Sequence, residues 1–292
     1  MLPLIDCIKA PAGEILRSYR PDITDNENFS LWIGSSPLLL QAHVDTIHPP
    51  KDVKMGKFII TGDGLGADDR AGVYACMQLK KKYPQISVLL TNHEETGGIG
   101  MENMIKHLDG KAEDIFSHIN LAIAVDREGC GHFVTYNTLP KEVEIYANMF
   151  GWWKDWGTFS DIELFSDEYG IPSINVSCGF HEQHTKHEYL VRDELDLCIR
   201  RLEAMINNPI NKRYDIPIHE DKYAYYRQDY KYDDYKDPLE KYGTMPCPAC
   251  KSWDTAIWDN VGYCYNCDSD FMIDEIHDMA YKKENDSYEI RF

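Results

Sequence analysis

Acids and histidines recur in this chain at the ends of short apolar runs. His43 and Asp45 follow the run Ser36 to Gln41, and Asp68 and Asp69 sit in a glycine-flanked loop. Glu94 and Glu95 follow Ile86 to Leu90, Asp126 follows Leu121 to Val125, and His184 comes after Ile174 to Cys178. If those runs are strands of an open α/β sheet, their carboxyl ends border the crevice where ligands bind, so side chains far apart in sequence converge there. Imidazoles and carboxylates meeting in one crevice point to a two-metal hydrolase.

Each piece also has a plain reading. In His43-Val44-Asp45 the carboxylate can take the second ring N–H of a metal-bound imidazole and so fix its orientation. The loop from Gly62 to Gly72 reads as a turn before a helix with Asp68 or Asp69 as its cap, or as the source of an acid shared by two ions. It lacks the Gly-Lys-Ser/Thr ending of a phosphate-binding loop, which argues against nucleotide. Glu94 and Glu95 precede a flexible Thr96-Gly97-Gly98. One of two such neighbours can ligate an ion while the other takes a proton from water, whose pKa a metal lowers to about 7. Among His181, His184 and His187, chemistry alone does not choose.

The elements that must position these groups alternate. Helical periodicity is expected over 71–82, 101–108, 160–169 and 192–206, and strands over 31–33, 38–42, 86–90, 121–125 and 174–176. Alternation of this kind predicts an α/β fold, a three-layer sandwich with a mixed, mostly parallel central sheet covered by helices on both faces. At 292 residues the chain accommodates one such core plus a small appendage. The expected division is a catalytic domain over 1–208, a Tyr- and Asp-rich tether over 209–243, a zinc ribbon over 244–272 and a charged tail over 273–292, loosely held. A net charge of -19 argues against a polyanionic partner, since nucleic-acid binding rests on Lys and Arg. No apolar stretch approaches the roughly 20 residues of a membrane span, and no signal peptide is evident. Five of the nine cysteines are dispersed, which suits a reducing, cytoplasmic setting.

The other four are not dispersed. Cys247-Pro-Ala-Cys250 and Cys264-Tyr-Asn-Cys267, thirteen residues apart, read as a four-thiolate site for one structural zinc on two knuckles. The segment's acids outnumber its basic groups, and its aromatics Trp253, Trp258, Tyr263 and Tyr265 suit packing on protein better than nucleic acid.

Taken in order, Gln41-Ala-His43-Val-Asp45, Gly66-Ala-Asp68-Asp-Arg-Ala-Gly72, His93-Glu-Glu-Thr-Gly-Gly98, Val125-Asp126 and His184-Thr-Lys-His-Glu188 resemble the co-catalytic zinc exopeptidases. That clan includes leucyl aminopeptidases, tetrahedral aminopeptidases and peptidase T. The resemblance spans about residues 38 to 190. It implies His43 and Asp126 on one metal, Glu95 and His184 on the other, Asp68 bridging them, Glu94 as general base and Asp45 as the orienter of His43. The clan's pattern selects Asp68 over Asp69 and His184 over its two neighbours. Gly157-Thr158-Phe-Ser-Asp161 resembles, more loosely, a turn at the clan's substrate pocket.

Only 24 residues separate His43 from Asp68, and 33 separate Asp126 from Ser160, so neither gap holds the large inserted domain of many clan members. The chain therefore resembles the compact aminopeptidases, and the insertion that supplies a carboxylate-binding arginine is missing, which favours recognition of a free amine end. The expectation is a metal-dependent hydrolase using two Zn2+ ions, with Co2+ or Mn2+ as substitutes, acting on a peptide or small amide. A deacylase and a catalytically silent ribbon scaffold are the alternatives. Homo-oligomer formation is compatible with the resemblance, because compact members lacking a lid often restrict access by assembly.

Overall fold

The computed structural model describes residues 2–136, 139–157, 159–214 and 216, and beyond them the backbone of five strands between 255 and 290. The chain divides into two compact units, Met1–Lys222 and Tyr223–Phe292.

In the first unit α1 (Leu4–Lys9) and α2 (Ala12–Arg17) precede β1 (Ile23–Thr24), β2 (Phe29–Trp32) and β3 (Leu38–His43). Then come β4 (Lys51–Met55), β5 (Ile59–Asp63), α3 (Ala67–Lys82), β6 (Ser87–Thr91), α4 (Ile99–His107), α5 (Ala112–Phe116) and β7 (Leu121–Arg127). The series ends with β8 (His132–Val134), α6 (Lys141–Met149), β9 (Trp153–Lys154), α7 (Ile162–Tyr169), β10 (Ser173–Ser177), β11 (Phe180–His181), β12 (Tyr189–Val191) and α8 (Arg192–Asn207).

Eight strands form the central sheet in the order β1-β2-β6-β3-β7-β10-β8-β9. Its middle four, β6, β3, β7 and β10, are parallel to one another, and antiparallel pairs flank them at β2 and β8. These four are buried along nearly their whole length, which is why they read as continuous apolar runs. Successive side chains still point to opposite faces. Leu38, Leu40 and Ala42 of β3, Val88 and Leu90 of β6, and Leu121, Ile123 and Val125 of β7 pack with α3 and α8. The intervening Leu39, Leu89, Ala122 and Ala124 pack with α4, α5 and α7. The three-layer α/β expectation is what the structure shows.

The expected elements shift by a few residues at their ends. The third helix begins near Ala67 rather than Ala71, but Asp68 (φ -77°, ψ 106°) and Asp69 (φ -115°, ψ 39°) depart from helical geometry, so its regular course starts after them. Gly72 brings that helix against β7: a Cβ there would lie 2.0 Å from the Val125 carbonyl oxygen. A second sheet, β11-β12-β5-β4, is antiparallel throughout and was not legible from the sequence. Its strands are short or mostly exposed, so they leave little apolar alternation to read.

The second unit contains an antiparallel meander of β13 (Thr255–Trp258), β14 (Val261–Cys264), β15 (Ser269–Asp274), β16 (Met279–Glu284) and β17 (Ser287–Ile290). The last two strands fall within 273–292, where the sequence suggested a loose tail. Cys247, Cys250 and Cys267 lie outside the described residues, as does nearly all of the tether, and Cys264 is described only as backbone at the end of β14. No helix among the described residues is long and apolar enough to cross a membrane.

Candidate metal centre

The carboxyl ends of β3, β6, β7 and β10 bring the chemistry-bearing residues together. His43 is the last residue of β3 and only 1% exposed. Its Nε2 faces Asp68 Oδ1 at 3.1 Å, Asp126 Oδ1 at 3.3 Å and Glu94 Oε2 at 3.9 Å. Asp68 turns its other oxygen away from His43. Asp68 Oδ2 lies 3.1 Å from His184 Nε2, which also sits 3.1 Å from Glu95 Oε2. One carboxylate thus stands between two histidine–carboxylate pairs, His43 with Asp126 on one side and His184 with Glu95 on the other.

His181 and His187 are placed elsewhere. The His181 ring bonds Glu194 at 2.7 Å and stacks on Tyr189, while the backbone N–H of His187 donates to Thr185 Oγ1. Asp69 is fully buried and faces the backbone: its carboxylate accepts from the N–H groups of His43 and Gly72.

Asp45 does more than the sequence suggested. The His43 Nδ1 lies 3.1 Å from the Asp45 backbone oxygen and 3.4 Å from its carboxylate. The same carboxylate accepts hydrogen bonds from the backbone N–H groups of Glu94 and Glu95, at 3.1 Å each. Asp45 thus contacts both the His43 ring and the loop after β6. On Asp126, the Ser160 hydroxyl donates to Oδ2 and the Asn175 amide to the backbone oxygen.

Asp161, which the sequence placed near a substrate pocket, lies inside the protein. Asp161 is 0% exposed, and its carboxylate accepts from Gln41 Nε2 at 2.7 Å and from the Thr91 hydroxyl at 2.5 Å. It links β3, β6 and the start of α7 from within. Gly157 lies against the Val134 side chain, and Thr158 is outside the described residues. Gln41 and Thr91 were the available signals for this network, since polar residues inside buried strands need partners.

Electrostatics mark the cluster as short of positive charge. Burial alone would lower the His43 pKa, but the charge and hydrogen bond of Asp126, with help from Asp45 and Asp68, hold it well above the ordinary value. Hydrogen bonds donated to Asp68 and Glu95 push His184 up to about 10. Burial raises Glu94 to about 9, with His43 opposing, and Asp126 to about 6. For Asp68, burial is overcome by the two histidines, and its pKa falls well below the usual range.

These residues fit divalent cations. Among the described residues, three sets of donor atoms lie within 4.8 Å of one another: His43, Glu94 and Glu95; His43, Asp69 and Asp126; and Asp68, Glu95 and His184. Glu95 Oε1 is buried without a hydrogen-bond partner, a lone acceptor that a cation would satisfy. Mixed imidazole and carboxylate donors suit zinc, cobalt or manganese.

A cation needs neutral imidazoles, whereas without one His43 and His184 carry protons at neutral pH. Loading at pH 7 is therefore expected to release protons, measurable by calorimetry in buffers of different ionisation enthalpy. Apparent affinity should rise as pH climbs toward about 10, where His184 gives up its proton unaided. The sign for ion-free stability is opposite. A histidine whose folded pKa is raised contributes stability fully present below about 6.5 and lost as pH rises through the folded value. Loading that releases no protons at pH 7 would contradict this charge balance.

No protein-family model matches this sequence, and no curated protein matches it. Solved structures do. Aminopeptidase PepT from Bacillus cereus is 15% identical, with a TM-score of 0.51, over 70% of this chain and 96% of that one. The TET1 peptidase of Pyrococcus horikoshii, which can assemble into a tetrahedron or a large octahedral shell, is 13% identical, with a TM-score of 0.51, over 66% of this chain and 91% of its own. At such identities the likeness lies in the fold. This chain therefore has the α/β fold of aminopeptidase PepT and the TET1 peptidase, with a cluster of histidines and carboxylates at the carboxyl ends of its central strands.

Proposed function

We propose that this chain is a metal-dependent hydrolase of amide bonds, an aminopeptidase working with two divalent cations, zinc by preference. The observation that carries the reading is Asp68, whose two oxygens face His43 and His184 separately. In this reading His43 and Asp126 hold one ion, His184 and Glu95 hold the other, and Asp68 is shared. Bound there, the ions supply Lewis acidity toward a carbonyl oxygen and lower the pKa of water.

The remaining work falls to the chain. Glu94 has no ion of its own in this assignment and stands 3.9 Å from His43 Nε2, inside the cluster. Its carboxylate takes the proton from water and delivers it to the leaving nitrogen. Asp45 keeps Glu94 and Glu95 in register through their backbone N–H groups and keeps the His43 ring turned inward. The enclosure of His43, Asp68 and Glu94 keeps bulk water away, so charge interactions there are strong.

The amine-end preference rests on the short gaps around the site and on the fold shared with PepT and TET1. Self-association belongs to the same reading, by likeness to TET1. The segment 244–272 is read as a zinc ribbon whose four thiolates, Cys247, Cys250, Cys264 and Cys267, hold one structural ion.

A panel of chromogenic aminoacyl substrates, assayed with zinc, cobalt or manganese added, tests the activity. Cleavage that requires a free α-amine is expected. Cleavage confined to N-acylated compounds would make the chain a deacylase, and a protein loaded with ions that cleaves neither would end the hydrolase reading.

A further inference from the structure

The loop bearing His184 and the loop bearing Asp68 are fastened to each other through backbone amides. The Gly64 N–H donates to the Lys186 carbonyl oxygen at 3.3 Å. The Gly66 N–H donates to Glu188 Oε2 at 2.5 Å, and the Asp68 N–H to Glu188 Oε1 at 2.7 Å. Three alternate amides of one loop are thus taken by residues 186 and 188 of the other. Glu188 is itself only 3% exposed.

The second sheet explains how the two loops come to face each other. β5 leads into the glycine loop, β12 begins at the residue after Glu188, and the two strands pair antiparallel with Tyr189 opposite Thr61. Within the histidine loop, Glu182 and His184 both take positive φ, 55° and 63°, and the Thr185 hydroxyl donates to the Glu182 carbonyl oxygen. His184 is 46% exposed, unlike the enclosed His43. Its ring is therefore held in place by its own loop and by what that loop is tied to, with little packing around it.

We infer that Glu188 is a positioning residue that sets Asp68 against His184, and so governs retention of the ion assigned to His184 and Glu95, two of whose three ligands lie on the tied loops, more than that of the ion assigned to His43 and Asp126, which has only Asp68 there. This rests on the reading of Asp68 as the shared ligand. The requirement for a carboxylate is specific. Two backbone N–H groups need two acceptors, and a carboxamide would satisfy one while presenting its own donors to the other. Groups that hold metal ligands in place typically change affinity by about 10- to 100-fold when removed.

The test is a titration of the ion-free full chain with Mn2+, followed by electron paramagnetic resonance. Manganese suits carboxylate and imidazole donors and is not a thiolate metal, so the cysteine-rich segment does not enter the count. The wild-type chain is expected to take two ions. Glu188→Gln, close to isosteric, is expected to weaken one of them by about 10- to 100-fold and to leave the other within about threefold. Equal weakening of both ions would mark a merely structural role, and unchanged binding an idle contact; either overturns the inference.

Amide hydrogen exchange on the ion-free wild-type chain checks the same contacts without a variant. Slow exchange at Gly64, Gly66 and Asp68 is expected, and fast exchange at all three overturns the inference even if Glu188→Gln does not fold. A wild-type chain that binds two manganese ions with this selectivity but hydrolyses nothing would sink the peptidase reading and leave the role of Glu188 standing.

Discussion

Replacing Glu94 by Gln is expected to lower kcat by about 10²- to 10⁴-fold, the range over which a positioned acid–base group contributes, with both ions retained. The substitution preserves shape and removes only the ability to accept and return a proton. The site predicts the retention as well. The backbone N–H of residue 94 remains held by Asp45, and the ions are assigned to His43, Asp68, Glu95, Asp126 and His184 rather than to Glu94.

Glu94 is held proton-hungry by its surroundings. Burial is the main cause, and the neighbouring Asp126, Asp161 and Glu95 charges add to it against the opposing effect of His43. Nearby cations lower its proton affinity toward the range where it can both take a proton and give one up. Steady-state kinetics with elemental analysis of the same sample checks the prediction. A Glu94→Gln variant with unaltered kcat and full metal content would remove Glu94 from the chemistry. Glu95→Gln should behave differently, losing metal together with activity.

His43→Ala carries the second large effect, and it acts on two quantities at once. Metal content should fall by at least one ion per chain, because the imidazole is the nitrogen donor proposed for that ion. The ion-free protein should also lose stability, by about 3–5 kcal/mol, the usual cost of removing one partner from a buried ion pair. Without a cation, His43 is the positive centre on which Asp68, Asp126 and Glu94 converge; Asp68 and Glu94 are buried and the Asp126 side chain is 8% exposed. Its removal leaves Asp68 and Asp126 without their counter-charge beside a void. Urea unfolding of the ion-free chain, paired with elemental analysis of the loaded one, measures both parts. His184→Ala is the control, since its half-exposed ring should cost an ion with a smaller change in ion-free stability. If the His43→Ala variant kept its full metal complement, the half-site built on His43 would be misassigned.

The sequence by itself determined the layered fold and the place where chemistry would gather. Buried parallel strands must be continuously apolar, and a charged or imidazole side chain just past such a run can only lie at the strand's end, so Leu38 to Ala42, Leu121 to Val125 and their polar successors were readable one segment at a time. Choosing Asp68 over Asp69 and His184 over His181 and His187 required the ordered resemblance to known exopeptidases, because no local pattern separates identical side chains a few residues apart. The tertiary structure showed the physical difference: Asp68 faces two histidines whereas Asp69 faces backbone, and His181 is engaged by Glu194. It alone decided that Asp161 is enclosed with Gln41 and Thr91, that Asp45 anchors the loop of Glu94 and Glu95, and that Glu188 reaches the amides of Gly66 and Asp68. Those contacts join residues 49 to 122 positions apart. Hydrogen-bond partners at such separations are set by which strands lie side by side, and strand order is a property of the folded sheet that no run of neighbouring residues encodes.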